Sequence, residues 1–156
     1  MTALTLVCAL GCGLAAGVWF AFSAFVMDGL KRLPPGQGIA AMQAINRSAV
    51  TPLFMSALFG TALVCLALAV WAGASWHQVR APWVLAGSLL YLVGTIGVTS
   101  AANVPLNTGL ERLRPQTTAA AAQWTRYLRQ WTTWNHARGV SSLAASGSLV
   151  VALMVE

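Results

Sequence analysis

Four stretches of this chain run for about a membrane's thickness almost without charge: about Ala3–Met27, Pro52–Ser75, Pro82–Ala102 and Ala137–Val155. The first three hold no Asp, Glu, Lys or Arg, and the fourth holds Arg138 alone. A helix needs about 20 apolar residues to cross the hydrocarbon core, so each stretch is long enough to span. A transmembrane barrel needs segments of roughly 10 residues that alternate apolar and polar. Ala62–Ala72 is instead continuously apolar and rich in Ala and Leu. The expected fold class is therefore all-α: a polytopic membrane protein, one domain over 1–156, built as a four-helix transmembrane bundle.

Composition agrees. Of 156 residues 58% are hydrophobic and 8% charged, with a mean hydropathy of +0.70; a soluble domain carries about 25% charged residues. That excludes a disordered chain, an ordinary cytosolic enzyme and a nucleic-acid module. The net charge of +6 is spread through short segments between apolar runs rather than clustered on a soluble face. The bilayer is the expected partner, and nucleic acid is not. The first run has no basic segment before it and outlasts a signal peptide, so it is expected as a retained helix.

The basic residues also orient the chain. Lys31, Arg32 and Arg47 lie between the first and second runs; Arg112, Arg114, Arg126, Arg129 and Arg138 lie between the third and fourth or open the fourth. The opposite side has Arg80. A Lys/Arg excess marks the cytoplasmic face, so both termini are expected outside and the two long loops in the cytoplasm. Trp76 and Trp83 bracket the short outer loop as interfacial anchors.

Each long loop predicts a short amphipathic interfacial helix. Ile39, Met42 and Ile45 recur at helical spacing, as do Trp124, Tyr127, Leu128 and Trp131. The second such helix could run unbroken into the fourth span. Each half of the chain then reads as span, Pro-containing turn, short helix and span, closing on Asn46-Arg47 and on Asn135-His136-Ala137-Arg138. A repeat axis for such halves would lie along the membrane normal.

Polar groups near a membrane are costly and therefore informative. Asp28, Asn46, Arg47, Asn103, Asn107, Trp131, Trp134, Asn135, His136 and Arg138 all fall at the Arg-rich ends of the four spans. Each has an ordinary reading. Asn46 and Asn135 suit helix starts, Arg47 and Arg138 suit snorkelling anchors, and Trp131 and Trp134 suit an interfacial belt. Asn103 and Asn107 around Pro105 suit a turn, and Asp28 could end the first span beside Lys31 and Arg32. His136 is the one imidazole at that end.

Metal signatures are sparse. The carboxylates are Asp28, Glu111 and Glu156, with Glu156 expected at the outer end, so a dinuclear carboxylate bundle has no ligand set. His77 and His136 would sit roughly 30 Å apart across the bilayer, too far for bis-His haem. A single-axial haem or a metal on His136 stays open. Cys8 and Cys12 share a helix face, yet no further ligand stands near them in the sequence, so apolar packing is the expectation. No phosphate-binding glycine loop points to a nucleotide or flavin.

Trp19–Met27, Leu33–Asn46, Asn103-Val104-Pro105-Leu106-Asn107 and Trp131–Arg138 resemble the anthrone-oxygenase family of small four-helix membrane proteins. Gly139 departs from the Thr common there. The resemblance implies a bacterial inner-membrane protein, and oxidation of a lipophilic anthrone-like or related polycyclic phenolic substrate by molecular oxygen. Removing an acidic CH proton yields a carbanion that can itself react with oxygen, so no cofactor is required. On this expectation His136 is the base, Asn135 and Asn103 donate to the oxyanion, and Arg138 adds charge. Trp131 and Trp134 stack the substrate, with Asn107, Asn46, Arg47 and Asp28 as further contacts. The alternative is a non-catalytic ligand-binding or accessory membrane protein, with Gly11, Gly13, Gly17, Gly87, Gly94, Gly97, Gly139 and Gly147 giving close helix contacts or a homo-oligomer face. A transporter is the weaker third reading, since no ionisable residue falls at mid-span.

Overall fold

Among the described residues the apolar runs fold as four helices long and apolar enough to cross a membrane. The computed structural model describes residues 1–115 and 117–155, so Glu156 lies outside the described residues. Helix α1 is Thr2–Lys31, α2 Pro35–Ser48, α3 Pro52–Ala74, α4 Ala81–Glu111 and α5 Thr118–Met154. Proline sets three of the starts. Pro35, Pro52 and Pro82 stand in the first turns of α2, α3 and α4, where the missing N–H costs nothing. Thr51 caps α3 by accepting from the Phe54 backbone N–H at 3.3 Å.

The long helices form a ring in the order α1, α3, α4, α5, each packing on the next and α5 closing on α1. Close approach is built from small residues. A methyl at Gly94 of α4 would overlap the Ser141 side chain of α5, and one at Gly11 of α1 would overlap Thr61 of α3. These glycines serve contacts inside the bundle.

Three helices run well beyond a bilayer's hydrocarbon core. With 30, 31 and 37 residues, α1, α4 and α5 run about 45, 46 and 55 Å against a core of about 30 Å. Their Arg-rich ends build a second layer with α2. The core divides accordingly. One cluster holds Cys8, Cys12, Cys65, Leu68, Val84, Tyr91 and Leu149; the other holds Met27, Leu30, Ile39, Met42, Leu110, Trp124, Tyr127 and Trp131.

Both segments expected as short interfacial helices lend their apolar residues to this second cluster, so those faces meet protein. The second segment is not a separate element. With neither Gly nor Pro between Thr118 and Arg138, nothing interrupts the helix, and it runs straight into the last span. The first half of the chain does break, at Ala49–Thr51 before Pro52, so the two halves differ in build.

Helix α4 likewise continues past Ala102 to Glu111, and the Asn103–Asn107 stretch is helix rather than turn. A π turn over Thr99–Asn103 makes this possible. The Val104 N–H reaches back to the Thr99 carbonyl, and Pro105, with no N–H to give, follows it. Further π turns lie at Phe22–Val26 in α1 and Leu90–Gly97 in α4.

Candidate functional site

The buried residues of α5 form one stripe: Ala120, Trp124, Tyr127, Trp131, Asn135, Arg138, Ser142, Ala145, Leu149 and Ala152. The steps are three or four residues, as one face of a helix requires. In the middle of the stripe the apolar pattern gives way to Asn135 and Arg138. This polar break separates the two core clusters.

Asn135 is wholly buried, and its amide is satisfied on both sides. Its Nδ2 donates to the Trp19 carbonyl and to Ser23 Oγ, both at 2.7 Å, and its Oδ1 accepts from Arg138 Nε at 3.0 Å. The α1 acceptors sit at the π turn that starts at Phe22, where the regular backbone ladder loosens. Asn135 therefore fixes the guanidinium next to it. Arg138 is 4% exposed; its Nη1 donates to Thr99 Oγ1 at 3.3 Å. The charge centre lies 3.7 Å from the Trp19 ring centroid and 4.9 Å from that of Trp131. Two indoles thus flank a planar cation, an arrangement that suits arginine and not lysine.

Above it, Asn107 Oδ1 accepts from Trp131 Nε1 at 2.8 Å and from the Tyr127 hydroxyl at 2.9 Å. Asn103 Nδ2 donates to the Trp131 carbonyl at 3.3 Å. The two asparagines stand one turn apart on α4 and hold the aromatic stripe of α5 in place.

Arg138, Trp131, Asn107 and Thr99 line a cavity of about 690 Å³, completed by α1, α2 and α3 through Trp19, Phe22, Met42, Asn46, Phe54 and Leu58. Its outer wall includes Val50, Phe59 and Val104, all apolar and exposed. The cavity thus has exposed apolar side chains along its rim. Its volume is in the range that takes a drug-sized ligand.

The electrostatics of the cavity are one-sided. Among the described residues the ion pairs are Arg32–Asp28 and Arg47–Glu111, both at the surface. Among the described residues no carboxylate lines the cavity. The Asn46 Nδ2 and Trp19 Nε1 donors of its wall are buried without a hydrogen-bond partner among the described residues. Removing a cation from water costs several kcal/mol. The hydrogen bonds to Asn135 and Thr99 and the stacking on two indoles offset part of that cost, and an acceptor carrying negative charge in the cavity would offset more.

The structure brings together part of the expected set. Arg138, Trp131, Asn107 and Asn46 line the cavity; Asn135 and Asn103 support it from behind. His136, Trp134, Arg47 and Asp28 do not join them. His136 follows Asn135 by one residue, which turns it about a quarter circle off the buried stripe. It is exposed and lines a separate groove with Gly13, Gly17, Phe20 and Val140 between α1 and α5. Trp134 is 45% exposed, and Arg47 and Asp28 are spent in the surface ion pairs. Trp19, Thr99, Ser23 and Tyr127 complete the site without having been expected in it. Tyr127 stood at helical spacing from Trp131, and Trp19 and Ser23 lay in a stretch that carries the family resemblance, but nothing in the sequence set Thr99 apart.

Among the described residues the one group of three metal donors is Cys8, Cys12 and Cys65, and His136 is not part of it. Residues 52–148 match the family model described as anthrone oxygenase. No curated protein and no solved structure matches the chain.

Proposed function

Because the chain belongs to the anthrone oxygenase family, we propose that the cavity binds a lipophilic, weakly acidic polycyclic ketone or phenol as its anion and presents it to molecular oxygen. One observation carries this reading: among the described residues a buried guanidinium faces an apolar cavity with no carboxylate to pair it, and the orphaned groups of the cavity wall are N–H donors. An anthrone fits that description. Its ring-flanked CH₂ is acidic because the resulting charge moves to the ketone oxygen. Donors aimed at that oxygen stabilise the enolate-like anion more than the neutral ketone, and this differential lowers the barrier to ionisation.

Arg138 supplies the charge, with Asn46 and Trp19 as neutral donors. Trp19, Trp131 and Phe54 provide flat apolar contact, and Asn135 and Thr99 keep the guanidinium in place. The proton leaves to water. The electron-rich carbon then bonds to oxygen, and loss of water from the hydroperoxide leaves a second ketone. In sum the CH₂ loses both hydrogens, one oxygen atom stays as C=O and the other departs as water. The electrons come from the substrate, so the reading requires no cofactor. The exposed apolar rim suits a substrate, and an oxidant, that both partition into lipid. The same reading sets the Arg-rich ends in the cytoplasm of a bacterial inner membrane, with both termini outside.

The test is oxygen uptake by the detergent-solubilised protein given a simple anthrone. The wild type should exceed the spontaneous rate. Arg138→Gln should lose about 10²–10³ in turnover, the loss typical of removing one oxyanion donor, while His136→Ala, outside the cavity, stays within a few-fold of wild type. Uptake equal to the detergent blank, or lost in His136→Ala and retained in Arg138→Gln, overturns the assignment.

A further inference from the structure

All three cysteines of the chain meet at one point. Cys8 and Cys12 stand one turn apart on α1, and Cys65 reaches them from α3. Their sulfur atoms lie within 4.8 Å of one another, with those of Cys8 and Cys65 3.1 Å apart. Each residue is fully buried and each thiol is free. The sequence spacing shows only the pair on α1; the third sulfur comes from 57 residues away. Gly11 makes the meeting possible. With no side chain to collide with Thr61, it lets α1 and α3 close up beside Cys12 and one turn from Cys65.

Packing alone does not require this arrangement, since three small apolar residues anywhere on these faces would fill the same space. What the cluster offers is a set of converging soft donors. No His and no carboxylate joins it among the described residues. The surrounding core is apolar, with Ala9, Leu68, Tyr91 and Leu149 in the same cluster. Zinc takes four ligands in structural sites, and a divalent ion with hard oxygen donors has nothing to hold here. Thiolates with no harder ligand select a soft ion such as Cu(I).

We propose that Cys8, Cys12 and Cys65 form a site for one Cu(I) ion, which ties α1 to α3. The ion enters and stays as Cu(I), so no electron is transferred. Binding forms sulfur–copper bonds and releases the corresponding thiol protons to solvent. None of the three cysteines lines the Arg138 cavity, so the proposal stands apart from the anion-binding reading.

The test uses the full chain, purified in detergent under reducing, oxygen-free conditions and loaded with Cu(I) alone. Free metal is removed by a chelator and gel filtration. The wild type should retain copper in equimolar amount, show thiolate-to-copper absorption in the near ultraviolet, and unfold at a higher temperature than the metal-free protein. Cys65→Ser should weaken binding by on the order of 100-fold or more, beyond what loss of an outer-shell group costs. Circular dichroism and gel filtration check its fold, and Cys12→Ala gives the same comparison from the other helix. A parallel loading with Zn²⁺ should leave no equimolar metal. The proposal is overturned if the wild type keeps no copper, if a folded Cys65→Ser or Cys12→Ala keeps as much, if zinc is held in preference, or if the isolated protein carries a disulfide among these three residues.

Discussion

Arg138 and His136 stand two residues apart and have opposite fates. Arg138 is held between two indoles by Asn135 and Thr99, and His136 lies in a groove on another face of the same helix. On the proposed reading the chemistry of the site depends on a cation that keeps its charge and its plane. Asn107 matters for a different reason, because its carbonyl oxygen is the shared acceptor for Tyr127 and Trp131. Asn107→Ala leaves both donors without that acceptor, at about 1–3 kcal/mol for each one left unsatisfied. It should lower the midpoint of thermal unfolding in detergent and raise KM for an anthrone more than it lowers kcat, since it loosens the wall against which the substrate stacks. An unchanged midpoint and an unchanged KM would count against that wall. At this scale the sequence was half legible. It marked the polar residues that gather at one level, because polarity in an apolar chain is conspicuous. It did not separate His136 and Trp134 from Asn135 and Arg138, although the stripe of buried positions on α5 does so at once.

At the scale of elements, the apolar runs predicted the spanning helices because their length and lack of charge leave few alternatives. Their true extents were harder to read. The end of α4 was hidden by Pro105, which normally marks a boundary and here follows a π turn that absorbs the missing N–H. The start of α5 was hidden because amphipathic spacing looks the same whether the apolar face meets lipid or protein. Trp124, Tyr127 and Trp131 meet protein. The cavity depends on these elements keeping their distance. Gly94→Leu should force α4 away from Ser141, with an overpacking cost of about 1–3 kcal/mol and a clear drop in thermal midpoint. Gly147→Leu, at a position with nothing within 4 Å, should change it little. Equal effects of the two would mean that the α4–α5 contact is not tight.

For the whole molecule, the two-layer build explains why the site sits where it does. The apolar layer supplies a route from lipid, the Arg-rich layer supplies the lid of α2, and the polar break in α5 falls between them. Four spans would put both termini on one side, and on the proposed orientation the excess of Lys and Arg places the opposite ends in the cytoplasm. Reporter fusions at the two ends, made in a bacterial host, should both register outside the cytoplasm, and a reporter inserted after Pro34 should register inside. A cytoplasmic signal from either terminal fusion would reverse the orientation and the side from which α2 covers the cavity.

The central claim is that the cavity prefers an anion. It is tested most directly by titrating a flat polycyclic phenol, whose absorbance changes on ionisation, while bound to the wild-type protein, to Arg138→Gln and to detergent alone. The bound phenol should ionise at least about one pH unit lower in the wild type than in detergent, a shift that corresponds to about 1.4 kcal/mol of preference for the anion. The shift should vanish in Arg138→Gln. A phenol that binds the wild type but ionises at the same pH as in detergent, or higher, would contradict the account.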